Sequence, residues 1–260
     1  MGAHIRSPAV AGLFYPEDSV ALRAAVQAFL ADARGGDGAP PKALIAPHAG
    51  YMYSGPVAGS AYARLAPSAA RIRRVVLLGP AHRVAVHGLV GPTAAAFQTP
   101  LGAVPVDQAL LAELTALPQV TLDDGPHARE HGLEVHLPFL QALLSDWSLV
   151  PILVGAASSA EVQRVLERCW GGSETLIVIS TDLSHYLDQA SARLIDDETA
   201  AAIERLDGHA IGSHAACGRS ALRGLLAAAR DRAMAVERLD LRTSGDTAGD
   251  KARVVGYGAW

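Results

Sequence analysis

A short run of apolar residues precedes each of three histidines, His48, His82 and His185. Such runs are typical of buried strands, and Pro47 ends the first of them because proline cannot continue a central ladder of hydrogen bonds. Parallel strands place their carboxyl ends at one edge of a sheet, where open α/β folds bind ligands. Because neutral imidazole is the commonest protein ligand of metals, we predict that these histidines converge on a metal site.

A catalytic metal site usually takes three protein ligands and keeps a position open for substrate. The chain contains two cysteines, Cys169 and Cys217. Cys217 is the better candidate for the third ligand, because the predicted helix that follows it would offer backbone N–H groups that favour a thiolate. Cys169 falls inside a predicted helix beside Trp170, which indicates a small buried apolar residue.

Composition limits the classes of protein that fit. The chain has 260 residues, is 50% hydrophobic and carries a net charge of −4. Scattered Lys and Arg residues make no basic patch for nucleic acid or an anionic membrane, and no apolar run approaches the length of a membrane span. Two cysteines are too few for a disulfide framework, and the N-terminus does not resemble a signal peptide. We therefore expect a cytoplasmic protein without nucleic-acid or membrane partners.

Apolar strands alternate with amphipathic helices along most of the chain. This alternation predicts one three-layer α/β/α domain, residues 1–260, around a mixed, largely parallel central sheet. The Gly- and Pro-rich segment Gly35–Pro41 predicts a loop rather than a domain boundary. The predicted helices are Ser19–Ala33, Pro56–Leu65, Asp107–Leu117, Ser159–Cys169, Ala190–Leu206 and Gly218–Arg232. The main predicted strands are Ala43–Ala46, Val75–Leu78, Leu149–Val154, Thr175–Ile179, Ala235–Arg242 and Arg253–Ala259.

Several short motifs, taken together and in this order, resemble the MEMO family, whose prokaryotic members are known as AmmeMemoRadiSam system protein B. The resemblance extends over nearly the whole chain, from Ala11 to Tyr257. The motifs are Pro47-His48-Ala49-Gly50-Tyr51, Gly79-Pro80-Ala81-His82, Glu130-His131-Gly132-Leu133-Glu134-Val135-His136, Ser180-Thr181-Asp182-Leu183-Ser184-His185-Tyr186 and Cys217-Gly218-Arg219.

This family is similar in fold to the class III extradiol dioxygenases. The resemblance implies an α/β/α domain with a mononuclear iron or copper site made by His48, His82 and Cys217. Fe(II) is the first expectation, and the soft thiolate would also suit Cu or Zn. A cysteine in place of the carboxylate of the non-haem iron dioxygenases puts ring cleavage itself in question.

The resemblance also implies roles for residues around the metal. His185 matches the acid/base position of the dioxygenases, with Asp182 either orienting it or capping the turn after the strand. Phe14, Tyr51 and Tyr53 are expected in the pocket wall. We interpret His131, Glu134 and His136 as a network that supports the ligands, with direct ligation as the alternative. His87, His127, His209 and His214 are expected in solvated loops.

Three classes of function fit these residues. The first is a metal-dependent oxidoreductase that acts on a small substrate. The second is a non-catalytic protein that binds a peptide, a phosphorylated ligand or another anion, and the third is a metal-dependent hydrolase. A blue-copper carrier is set aside because the chain does not resemble an all-β barrel. The family name suggests a functional association with radical SAM and AMMECR-type proteins.

Overall fold

The computed structural model describes residues 4–33 and 39–260. Residues 35–38 of the predicted loop lie outside this range. The helices are α1 Ser19–Ala31, α2 Tyr51–Tyr62, α3 Gln108–Leu114, α4 Asp124–His127, α5 Leu137–Leu143, α6 Ser159–Cys169, α7 Gln189–Glu204, α8 Arg219–Asp231 and α9 Ser244–Thr247. The strands are β1 Ile5–Arg6, β2 Ala43–Ala46, β3 Arg74–Pro80, β4 Leu89–Gly91, β5 Ala96–Thr99, β6 Gly102–Pro105, β7 Val120–Leu122, β8 Ser148–Val154, β9 Thr175–Ser180, β10 His185–Leu187, β11 Asp240–Thr243 and β12 Val254–Ala259.

The central sheet has the strand order β2-β9-β3-β8-β4-β7. All its neighbouring strands are parallel except β4 and β8, which are antiparallel. The predicted mixed, largely parallel sheet is therefore confirmed. The apolar side chains of β3, β8 and β9 are buried, as expected for strands covered on both faces by helices.

Two smaller sheets complete the architecture. Strands β1, β5 and β6 form one, and the order β10-β12-β11 forms the other. Trp260 joins the second sheet to the central one, because it exchanges backbone hydrogen bonds with Ile45 of β2. This arrangement brings the loop before β10 and the strand β12 to the carboxyl end of the central strands.

Helices cover both faces of the central sheet, as the three-layer prediction requires. Helix α2 packs on β2 and against α1, whereas α8 packs on β3 and β9 and against α6. Gly59 permits the close approach of α1 and α2, since a Cβ atom there would lie 2.4 Å from the carbonyl oxygen of Phe29. Helix α2 begins three residues after His48 and is thereby fixed relative to it.

Within residues 4–33 and 39–260, every helix is too short or too polar to span a bilayer.

Candidate metal centre

His48, His82 and His131 form a compact group at the carboxyl end of the central strands. Each offers one ring nitrogen, and these atoms all lie within 4.8 Å of one another. His48 follows β2 and His82 follows β3, as the sequence predicted. His131 lies in the turn between α4 and α5. The cluster could hold a metal ion.

The ring of His48 is held by a partner that fixes its tautomer. Ser180 Oγ donates its hydrogen to the carbonyl oxygen of Gly132, so it can only accept from the Nδ1–H of His48, 2.6 Å away. Nε2 of His48 therefore carries the lone pair that a metal requires. Burial, together with the neighbouring His82 and His131 rings, holds the pKa of His48 well below its usual range, so the ring is neutral at pH 7.

Glu130 organises the other two histidines. Its Oε1 lies 2.8 Å from His82 Nδ1 and 3.3 Å from His131 Nδ1, and its Oε2 accepts the backbone N–H of His82 at 2.6 Å. Burial alone would raise the pKa of Glu130, but hydrogen bonds from His82 and from the Gly132 N–H outweigh it and lower the pKa to about 2. The ionised carboxylate accepts a hydrogen bond from the Nδ1–H of His82, which leaves Nε2 of His82 free to bind a metal.

His131 stacks on His82, with ring centroids 4.6 Å apart and planes 22° from parallel. Phe14 packs on its other side, at 4.8 Å between centroids. Nδ1 of His131 is buried and makes no hydrogen bond within the described residues. Burial, followed by the nearby His82, lowers the pKa of His131 to about 4, so this ring is neutral at pH 7 as well.

The structure places Cys217 directly beside His48. Its Sγ lies 3.3 Å from His48 Nε2 and accepts the backbone N–H of Asp182 at 3.2 Å. Gly218 allows this approach, because a Cβ atom there would lie 2.5 Å from the carbonyl oxygen of Ser180. Cys169 is buried in α6 and packs with the apolar core.

The N–H of Gly218, at the start of α8, favours the Cys217 thiolate, as predicted, but it does not decide the pKa of the thiol. Burial and the neighbouring Asp182 raise the pKa of this thiol to about 12, although α8 begins two residues later. Desolvation of a thiolate thus outweighs the backbone N–H groups at the helix start. Deprotonation at neutral pH requires a bound cation, because metal binding releases the thiol proton.

Asp182 lies next to His48. Its Oδ1 accepts the backbone N–H of His48 at 2.7 Å, and its Oδ2 lies 3.9 Å from His48 Nε2. Burial raises the pKa of Asp182 to about 7. His185 begins β10 and lines the same cavity, where burial lowers its pKa. Asp182 is therefore placed to hold a proton near neutral pH, whereas the environment of His185 favours the neutral ring that can accept one.

A cavity of about 1340 Å³ opens over the three histidines. Its wall includes Phe14, Tyr51 and Tyr53, and Tyr257 contributes from β12. The hydroxyl of Tyr51 donates to the carbonyl of Val135 at 2.7 Å, which leaves mainly its ring for contact with a ligand. A wall with several aromatic side chains suits an organic ligand.

Among the described residues, the side chains of Glu134 and His136 form no hydrogen bond with His48, His82 or His131. The Glu134 carboxylate is paired with Arg6 and accepts hydrogen bonds from the N–H groups of Ala9 and Val10 and from the Tyr15 hydroxyl. This carboxylate fixes the segment that carries Phe14. His136 Nδ1 contacts the Tyr62 hydroxyl at 2.8 Å in the core. The two residues support the cavity wall from behind.

Sequence reasoning missed two residues and misplaced one. Glu130 and Ser180 orient the histidines, yet they were noted only as parts of motifs. The glutamate directly before His131 was the local signal available for Glu130, although it does not reveal the pairing with His82. His127 is 1% exposed, not solvated, because its Nε2 contacts the carbonyl oxygen of Val90 and its ring packs against Phe97.

Comparison with known proteins agrees with the motifs. A family described as Memo-like protein matches residues 6–260. A MEMO1 family protein of Aquifex aeolicus is 35% identical, with 97% of each chain covered. A MEMO1 family protein of Thermotoga neapolitana is 34% identical, over 97% of this chain and 98% of the relative.

Among solved structures, the crystal structure of the uncharacterized protein JW3007 from Escherichia coli K12 has a similar fold. The TM-score is 0.53 at 16% sequence identity, over 84% of this chain and 98% of that one. At this identity the likeness concerns the fold alone. The match over residues 6–260 and the relatives of similar length show that the chain belongs to the Memo-like family.

Proposed function

We propose that the chain is a metal-dependent oxidoreductase with one mononuclear site, formed by His48, His82 and Cys217, that acts on a small organic substrate. The observation that carries this proposal is the placement of the His cluster and the Cys217 sulfur at the base of a cavity with aromatic side chains in its wall. Two imidazoles and one thiolate leave positions open for other ligands on the cavity side.

Cys217 is preferred to His131 as the third ligand for two reasons. Its sulfur is next to the lone pair of His48, and the Asp182 N–H is positioned to stabilise a thiolate. His131 lies parallel to His82, and stacked rings direct their nitrogens along parallel lines rather than to one point. We assign His131 to the support of His82 and to the cavity wall.

The donor set indicates the chemistry. The family resemblance makes Fe(II) the first expectation, and a soft thiolate with two imidazoles also suits Cu(I) or Zn(II). The chemistry that a redox-active metal supplies there is the activation of dioxygen. The protein orients His48 through Ser180, orients His82 through Glu130, and excludes water with the aromatic wall. His185 accepts or returns a substrate proton in the cavity, with Asp182 as a second proton store.

Oxygen consumption by matched metal forms tests this function. The Fe(II)-loaded and Zn(II)-loaded proteins are mixed with a panel of small phenols, catechols and esters. We expect substrate-dependent oxygen uptake with Fe(II), none with Zn(II), and none with His48→Asn treated with Fe(II) in the same way. Ester hydrolysis by the Zn(II) form without oxygen uptake would instead indicate a hydrolase. Ligand binding without turnover in either form would indicate a binding protein for a small molecule or peptide.

We also propose a cytoplasmic location, supported by two unpaired cysteines in the described chain. A functional association with radical SAM and AMMECR-type proteins follows from the family resemblance alone. Comparing the metal content of protein produced with and without those partners would test it.

A further inference from the structure

A second cavity, of about 380 Å³, lies at the opposite end of the central sheet from the metal cluster. It borders the start of β2, the inner face of α8 and the segment before β11. Its wall is mainly apolar, with Leu225 and Leu226 from α8 and Met234 and Val236 from the following loop. It shares no lining residue with the cavity over the histidines.

Two buried N–H donors that belong to residues lining this cavity lack an acceptor among the described residues. They are Nη1 of Arg64 and Nε1 of Trp260. Arg64 is 8% exposed and Trp260 is 5% exposed. A buried donor without a partner costs about 1–3 kcal/mol, and native proteins contain few of them. Two such unpaired donors on residues that line one cavity suggest that a bound ligand supplies the acceptor.

The charges around the cavity favour an anionic acceptor. Its ionisable lining residues are Lys42, Arg64 and Glu237, which sum to one positive charge. Lys42 Nζ is already saturated by the carbonyl oxygens of Trp170, Gly172 and Thr175. Arg64 uses Nη2 for the exposed Glu237 carboxylate at 3.1 Å, whereas its buried Nη1 is unused. A guanidinium with a free N–H pairs best with a carboxylate.

We propose that this cavity binds a small carboxylate with an apolar tail, held by Arg64 and Trp260. The apolar lining buries the tail, and the two N–H groups receive the carboxylate after a small adjustment of their side chains. The volume falls within the range of small-molecule sites. The site is independent of the metal centre and of the function proposed for it.

The test uses octanoate as the probe and 1-octanol as its uncharged match. In the 15N-labelled protein, each of Trp147, Trp170 and Trp260 has an indole N–H signal, and Trp260→Phe assigns the last of these. We expect octanoate to shift the Trp260 signal downfield and leave that of Trp147 in place. Arg64→Met should weaken octanoate binding by about tenfold or more without affecting octanol.

Leu13→Ser, at the rim of the histidine cavity, is the positional control, and the dispersion of the NMR spectrum checks that each variant folds. Absence of octanoate binding at millimolar concentration would overturn the proposal. So would binding that leaves the Trp260 signal unmoved, or binding that Arg64→Met does not weaken. Binding weakened only by Leu13→Ser would place octanoate in the other cavity and would also overturn it.

Discussion

The carboxylate of Glu130 accepts a hydrogen bond from the ring of His82 across 48 residues of sequence, with 2.8 Å between Oε1 and Nδ1. The same oxygen accepts the backbone N–H groups of His131 and Gly132. One buried carboxylate therefore sets both the tautomer of His82 and the path of the turn that carries His131.

Replacing Glu130 by Gln should weaken metal binding. The amide keeps the shape but loses the charge that makes the His82 ring a stronger donor to the metal, and such partners contribute about 10–100-fold in affinity. Competition with a chromophoric chelator for Zn(II) measures the change. Glu113→Gln, on the exposed side of α3, is the matched control and should bind as the wild type does. Equal affinity in both variants would show that Glu130 does not tune the site.

Metal affinity should rise with pH through the thiol of Cys217. The pKa of this thiol is about 12 without metal, so binding at lower pH must release its proton. Between about pH 8 and about pH 10, above the pKa of Asp182, we expect the dissociation constant for Zn(II) to fall about tenfold per pH unit. His48 and His131 are already neutral there and add no slope. Chelator competition at several pH values measures this, and Cys217→Ser should abolish the slope; a slope unchanged in that variant would assign the proton elsewhere.

The buried pair of Arg6 and Glu134 should be essential to stability. Glu134→Gln leaves the Arg6 guanidinium buried without a counter-charge, which costs about 3–5 kcal/mol of unfolding free energy. Urea unfolding measures the loss. Adding Arg6→Met to that variant should recover much of it, since no buried charge remains.

Arg193→Met provides the comparison for this pair. Arg193 is an exposed partner of Asp246, so its loss should cost about 1 kcal/mol or less. If Glu134→Gln costs no more than Arg193→Met, then the buried pair does not hold the segment that carries Phe14.

Asp196 should make stability depend on pH. This buried residue accepts the Ser184 N–H through Oδ1, and burial raises its pKa from 3.8 to about 6. The pKa of Asp196 is higher in the folded protein than in the unfolded chain. The stability that Asp196 contributes is therefore fully present below about pH 4 and is lost as pH rises through about pH 6. The unfolding free energy of Asp196→Asn minus that of the wild type should therefore increase by about 2 kcal/mol from about pH 4 to about pH 8. Urea unfolding at both pH values measures this, with the exposed Asp197→Asn as control; an equal pH dependence in wild type and Asp196→Asn would contradict it.

The sequence predicted the positions of His48 and His82 because proline or glycine after an apolar run marks the end of a strand in the local sequence. It also predicted the sheet through the long apolar runs of β3, β8 and β9. The strand β7 was missed, since three residues are too few to show a period. The pairing of Glu130 with His82, and of Glu134 with Arg6, depends on long-range packing that no local pattern reveals. The net pKa of Cys217 could not be predicted from the sequence, because burial is a property of the fold.

Metal content after anaerobic purification tests the central claim most directly, measured on the wild type, Cys217→Ser and His131→Asn. We predict about one iron or copper per wild-type chain, most of it lost in Cys217→Ser and most of it kept in His131→Asn. The reverse order of the two variants would make His131 the third ligand. Proteins that are all metal-free, and that take up no added Fe(II), Cu(I) or Zn(II), would contradict the metal site itself.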